Sequence, residues 1–346
     1  MGILSARPVR PGGPVPIRKV ASVSTDTAST DGTSADAATR VSVFDIPHSE
    51  LKAGLLVDAG ELGQAGRLDP DTVLDAYDRY GAVVIKGLGL DRPGFVDFTE
   101  TYTGNFMEYV GGANNDRGSA MSGSSTVLTV TGGNTLGQAI PLHGEMFYSS
   151  YRPATLFFCC QRPADEDGQT TVCDGVALWN ALPDDIRAQF EQRKLRYLRM
   201  YRDDSWQKAY KTDDIEEVKR ICAETGVEFV DHGDGTFDTI HVDTAYADTS
   251  AGRALINSMI VWASREFIAK LDDSQVRWED GSMIDPALLY KVHEIAESLT
   301  QNIDWEPGMV AIVDNRRVMH GRRAYADEGR DIIMRLGLDP LDRKGS

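Results

Sequence analysis

The chain has 346 residues and carries 53 acidic side chains against 36 lysines and arginines, a formal charge of −17 at pH 7. That balance excludes a protein built to grip a nucleic-acid backbone or an anionic membrane surface, which need clustered cations, and no run reaches the roughly 18 apolar residues of a spanning helix. Hydrophobic residues at 41% and charged residues at 26% suit an ordinary globular protein with a full core.

Residues 1–40 stand apart. The stretch 22–39 is Ser, Thr, Ala, Asp and Gly with almost no large apolar side chain, too little to offset the entropy of ordering. Arg7, Arg10, Arg18 and Lys19 precede it without an acid. They suit a plain flexible tail better than a transit peptide, and the apolar core of a secretory signal is missing. Four cysteines without CxxC spacing predict free thiols in a reducing cytoplasm and no structural zinc.

From residue 41 the pattern is continuous. Asp69-Pro70 caps and opens a helix that runs to Tyr80 and stops at Gly81. Ala82-Val83-Val84-Ile85 reads as a buried strand, and a second helix follows over 93–102. Polar, Gly-rich sequence over 111–137, broken by a short strand at 126–130, is long enough to form a lid. Strands at 155–160 and 169–173 flank a turn. Helices are predicted at 177–182 and 184–194, a strand at 195–202, and helices at 213–225, 264–271 and 287–301. The last strands are 309–313 and 332–338. This order predicts one mainly β domain over 41–346, a sandwich or barrel braced by helices, with a helical insert at about 176–305.

Four of the six histidines have an acid two positions on: His48, His143, His232 and His241. The pattern alone therefore discriminates nothing. His48 borders the tail, and His232 lies in a turn by composition. His241-Val242-Asp243 is the serious competitor, because residues i and i+2 of a strand face the same way. His143-Gly144-Glu145 shares that geometry and adds an aromatic wall in Phe147, Tyr148 and Tyr151, as a ligand pocket requires. His320, at the end of a buried strand and before Gly321 and Arg322, supplies a third ligand. Two histidines and one carboxylate leave open positions suited to non-haem iron(II) with a chelating co-substrate and dioxygen. A 2-oxo acid then needs a guanidinium for its far carboxylate, and Arg330 and Arg335 lie 10 and 15 residues past His320.

Pro141-Leu142-His143-Gly144-Glu145-Met146, Phe157-Phe158-Cys159-Cys160, Gly168-Gln169-Thr170 and Asp314-Asn315-Arg316-Arg317-Val318-Met319-His320-Gly321-Arg322-Arg323 together resemble the Fe(II)- and 2-oxoglutarate-dependent oxygenases of the taurine dioxygenase (TauD)/TfdA superfamily, and within it SyrP-like members from natural-product pathways. The resemblance spans 66–338. It implies a double-stranded β-helix, a jelly roll of the clavaminate synthase type with helical additions. It implies Fe(II) on His143, Glu145 and His320. It also implies 2-oxoglutarate on Thr170 and on Arg330, preferred by spacing, or Arg335. Dioxygen and 2-oxoglutarate would become succinate and carbon dioxide as an unactivated C–H bond is oxidised. Related halogenases lack the carboxylate, so Glu145 implies oxygenation: hydroxylation first, with desaturation, epoxidation or cyclisation as alternatives.

Asn134, Gln138, Tyr148, Tyr151 and Arg152 flank the first ligand motif and are the candidate substrate contacts, with Arg152 suited to a carboxylate or phosphate. By resemblance the substrate is an amino acid or a derivative, free or tethered to a carrier protein. Two other readings are a jelly-roll protein that binds a metal or ligand without turnover, and a zinc hydrolase using His241 and Asp243.

Overall fold

A computed structural model of the chain describes residues 39–62, 66–112, 118–130, 137–267 and 273–341. Residues 1–38, most of the expected tail, lie outside that set, as do Asn134 and much of the expected lid.

The expected opening helix spans Pro70–Tyr80. Asp69 accepts the backbone N–H of Asp71, and Gly81 ends the helix at φ 74°, a left-handed turn that glycine adopts without a side-chain clash. The strand Ala82–Lys86 then enters a seven-stranded sheet. Its order is His48–Leu51, Gly54–Asp58, Ala82–Lys86, Val310–Asp314, Thr155–Arg162, Asp331–Gly337 and Leu128–Thr129. The outer face carries Val83, Ile85, Phe157, Cys159, Ile312 and Ile333, covered by the helix Pro70–Tyr80 and by Phe95 of the helix Arg92–Glu100. The inner face carries Val84, Phe158, Cys160, Ala311, Met334 and Leu336. Burial on both faces explains why these strands read as unbroken apolar runs and not as alternating ones.

A four-stranded sheet opposes the inner face in the order Gln301–Ile303, Thr170–Asp174, Val318–Arg322 and Ile140–His143. Leu142, Val172 and Met319 from it join the central core. The two sheets form the jelly roll, mainly β with helical additions. A third sheet, Glu228–Asp231, Phe237–Asp243, Leu195–Tyr201 and Ser274–Trp278, is antiparallel throughout. It lies among helices between Gly175–Ala181 and Pro286–Leu299. Among the described residues no helix is long and apolar enough to cross a membrane.

Several elements depart from the sequence reading. The helix expected at 264–271 starts earlier, at Met259, and is described as far as Phe267, with 268–271 outside the described residues; just ahead of it the Asn257 side chain accepts the backbone N–H of Met259 at 2.9 Å. The short edge strands at 39–41, 48–51 and 66–68 went unpredicted, since their exposure leaves no apolar pattern to read.

Candidate active site

The strand Ile140–His143 lies beside Val318–Arg322, and His143 sits directly opposite His320 in their register. Their rings are 4.3 Å apart, centroid to centroid. Glu145, two residues on, places Oε2 3.6 Å from His320 Nε2. One ligand atom from each of His143, Glu145 and His320 lies within 4.8 Å of the others. Glu145 and His320 are buried, at 3% and 6% exposure. His143 Nδ1 donates to the Pro141 carbonyl at 2.8 Å; a carbonyl only accepts, so Nε2 keeps its lone pair for a metal. His320 Nδ1 is buried with no hydrogen-bond partner among the described residues. Two imidazoles and a carboxylate converging in this way fit ferrous iron with positions open.

The backbone between the ligands is held from two sides. Gly144 N–H donates to the Asn257 carbonyl at 2.8 Å, and its own carbonyl accepts from Ser258 Oγ at 2.7 Å. Ser258 N–H in turn donates to the Tyr197 hydroxyl. A Cβ on Gly144 would lie 2.4 Å from the Phe147 ring, so only glycine fits there. Asn315, in the turn before the His320 strand, accepts Glu145 N–H at 2.8 Å and donates to the Glu145 carbonyl at 3.1 Å and the Pro153 carbonyl at 2.7 Å. Met146, next in the chain, has φ 60°, a conformation unusual outside glycine and typical of functional segments.

Thr170 opens the strand beside His320, and Arg322 is its partner in register. The Thr170 hydroxyl accepts from Trp305 Nε1 at 3.0 Å, which leaves its own proton to donate. Arg330 is 3% exposed, and its Nε donates to the Gly168 carbonyl at 2.8 Å. Its Nη1 and the Tyr325 hydroxyl are buried with no hydrogen-bond partner among the described residues. Burial, with the charge of Arg322 adding, pushes Arg330 down to about 10, so it stays cationic at neutral pH. Arg330 thus meets the chain at Gly168, two residues before Thr170.

Arg335 is elsewhere, and the expectation that it anchors the co-substrate is corrected. It follows Ile333 on the outer face of the large sheet. There it bonds Thr99 Oγ1 at 2.7 Å, pairs with Glu100 at 3.3 Å and stacks on Phe106. Arg330 precedes the strand Asp331–Gly337, and the pairing irregularity between Asp331 and Ile332 separates it from Arg335. Arg152 pairs with Asp243 at 2.7 Å and lies over the Phe147 ring. Gln138 has an exposed side chain and meets the site through its carbonyl, which accepts from Arg322. Tyr148 is buried against Trp262, and burial, then Tyr109 and the Glu145 charge, raise its phenol well above the usual range. Tyr151 is 40% exposed.

The competing pair forms no second metal cluster among the described residues. His241 Nδ1 donates to the Gly226 carbonyl, and Asp243 is shared between His241 and Arg152. Against its burial, His241 and the Arg152 guanidinium hold the Asp243 carboxyl below the usual range. Sequence reasoning missed Asn315 and Trp305.

The sequence model of the family described as "Taurine catabolism dioxygenase TauD, TfdA family" matches residues 50–336. A dapdiamide synthesis protein, DdaC, from Enterobacter agglomerans is 22% identical over 226 residues, 59% of this chain and 67% of that one. A clavaminate synthase-like protein from Arabidopsis thaliana is 24% identical over 275 residues, 74% and 81% of the two chains. Among solved structures, PvcB from Pseudomonas aeruginosa superposes with a TM-score of 0.53 at 14% identity, covering 84% of this chain and 87% of that one. A putative alpha-ketoglutarate-dependent taurine dioxygenase from Burkholderia xenovorans gives 0.53 at 15%, covering 85% and 93%.

Proposed function

The chain belongs to the TauD/TfdA family and is an Fe(II)- and 2-oxoglutarate-dependent dioxygenase, and from that premise we propose that it hydroxylates an unactivated C–H bond of an amino acid or amino-acid-derived intermediate in natural-product synthesis. The observation that carries the reading is the cluster of His143, Glu145 and His320 with the glutamate in place. The substrate class draws support from DdaC, a dapdiamide synthesis protein.

Bound iron and 2-oxoglutarate supply the oxidising power, drawn from dioxygen, that breaks such a bond. The chain's own residues do the rest. His143, through Nε2, and His320 and Glu145 would hold the metal. Arg330 would take the far carboxylate of 2-oxoglutarate, and Thr170, its hydroxyl turned by Trp305, would donate a second bond to it. Phe147 and Tyr148 wall the approach to Glu145 and exclude water from the reacting carbon. One catalytic domain over 41–346 with its helical insert, a cytoplasmic location and a small-molecule substrate, free or on a carrier protein, complete the proposal.

The test is a screen of amino acids and their derivatives for substrate-dependent release of succinate from 2-oxoglutarate, with the oxidised product identified by mass. A product heavier by one oxygen is the expected result. A product lighter by two hydrogens would replace hydroxylation with desaturation, and stimulation only by compounds unrelated to amino acids would overturn the substrate class.

A further inference from the structure

Tyr325 follows His320 by five residues and precedes Arg330 by five. It is 5% exposed, and its hydroxyl is buried with no hydrogen-bond partner among the described residues. A buried phenol ordinarily spends its proton on an acceptor, because an unmade bond leaves the group's desolvation uncompensated. Tyr77, bonded to Thr155, and Tyr197, bonded to Ser258, show the ordinary arrangement. Tyr325 keeps a proton that the fold does not use.

Its neighbours form a closed circuit. The Arg322 guanidinium stands 4.7 Å from the centre of the Tyr325 ring and that of Arg330 5.4 Å, so the ring lies against two buried cations. A Cβ placed on Gly168 would lie 3.1 Å from Tyr325 Cβ and 3.2 Å from Arg330 Cδ. The two side chains therefore leave the backbone side by side across the bare face of that glycine. Gly168 N–H donates to the Ala324 carbonyl at 3.1 Å and ties the turn to the residue before Tyr325. Thr170, two residues past Gly168, is the register partner of Arg322 and completes the circuit. It contains two guanidiniums, a phenol and a threonine hydroxyl with a proton to give, and no carboxylate. The orphaned Nη1 of Arg330 and the orphaned hydroxyl of Tyr325 belong to this one cluster.

We propose that the Tyr325 hydroxyl is a further donor to the far carboxylate of 2-oxoglutarate, beside Arg330 and Thr170, and so a determinant of the choice of a dicarboxylic 2-oxo acid. This rests on the placement of 2-oxoglutarate at Arg330 above and deepens it. A carboxylate has about four lone-pair sites, enough for all three groups. The ring and the hydroxyl have separate tasks. The ring packs against the guanidiniums, and the hydroxyl meets a bond only when the anion arrives. A co-substrate without the far carboxylate would leave the phenol and both arginines buried without an anion, and the site would reject it for that reason.

The experiment is calorimetric titration of the anaerobic, Fe(II)-loaded protein with 2-oxoglutarate and with 2-oxovalerate, which has the same chelating end and no far carboxylate. We expect wild type to bind 2-oxoglutarate at least about 100-fold more tightly, and Tyr325→Phe to lose about 10–100-fold for 2-oxoglutarate and less than about 3-fold for 2-oxovalerate. Without co-substrate, Tyr325→Phe should resist urea as well as wild type, because the hydroxyl has no bond in the fold to lose. Unchanged binding of 2-oxoglutarate by Tyr325→Phe overturns the proposal. So does an equal loss for both acids or a variant that fails to fold, since the hydroxyl then serves the shape of the chain and not the anion. The reading beneath it fails differently. A wild type that binds the two acids alike defeats the Arg330 pocket, and a wild type without the visible chelate band defeats the metal site. A wild type that shows the band and prefers 2-oxoglutarate, with Tyr325→Phe preferring it equally, defeats the Tyr325 contact alone.

Discussion

The side-chain amide of Asn315 is bonded to both backbone polar groups of Glu145, 2.8 Å to its N–H and 3.1 Å to its carbonyl, across 170 residues of chain. The same asparagine precedes His320 by five residues. One turn therefore sets the position of two of the three ligands relative to each other. Tyr197, Ser258 and Asn257 hold Gly144 from the opposite side. The carboxylate is fixed by backbone bonds and not by its own reach, as a ligand set for a labile divalent metal needs.

Asn315→Ala removes the three side-chain bonds and leaves the ligands untouched. Its Fe(II) affinity falls about 10–100-fold, the range for groups that orient a metal ligand, while far-ultraviolet circular dichroism keeps its native shape. Asn315→Asp fares no better, because a carboxylate faces the Glu145 and Pro153 carbonyls where an amide donated. Unchanged Fe(II) affinity in both would leave Asn315 a residue of the turn only.

Arg330 and Arg335 separate cleanly. Arg330→Ala weakens 2-oxoglutarate binding by at least about 2 kcal/mol, since it strands the carboxylate in a buried pocket. Arg335→Ala leaves that affinity alone and lowers the unfolding free energy by about 1–3 kcal/mol, because Thr99 and Phe106 lose their partner. Co-substrate titration and urea unfolding of the two variants check this; the opposite assignment of effects would restore Arg335 to the site.

Asp243 gives a pH signature. Its folded-state pKa lies below the ordinary carboxylate value, so the folded state favours the charged form. The stability this adds is fully present above about pH 4 and fades as pH falls through the lower, folded value. Asp243→Asn is therefore less stable than wild type at pH 7, by about 1.5–3 kcal/mol for a charge-assisted bond. The gap narrows in urea melts at increasingly acid pH. A gap that stays constant down to acid pH would show that Arg152 and His241 do not depend on the charge.

Much of this was legible in the chain. His143, Glu145 and His320 stood out because few histidines compete and each of the two histidines follows apolar residues, and the helix after Asp69-Pro70 carried its own start and stop. The arginines were not legible. Which of Arg330 and Arg335 faces inward depends on strand parity, disturbed here by an irregularity in pairing between Asp331 and Ile332. Arg152 lost its free charge to a residue 91 positions away. Asn315 and Trp305 act through hydrogen bonds whose partners no local pattern brings together.

The most direct test of the central claim is anaerobic titration of the protein with Fe(II) and 2-oxoglutarate, following the visible charge-transfer absorption of the chelate. Wild type and His241→Ala develop the band, while His143→Ala and His320→Ala do not. A band that survives loss of His143 and His320 but vanishes with His241 would contradict the account and move the metal to the sheet that carries Asp243.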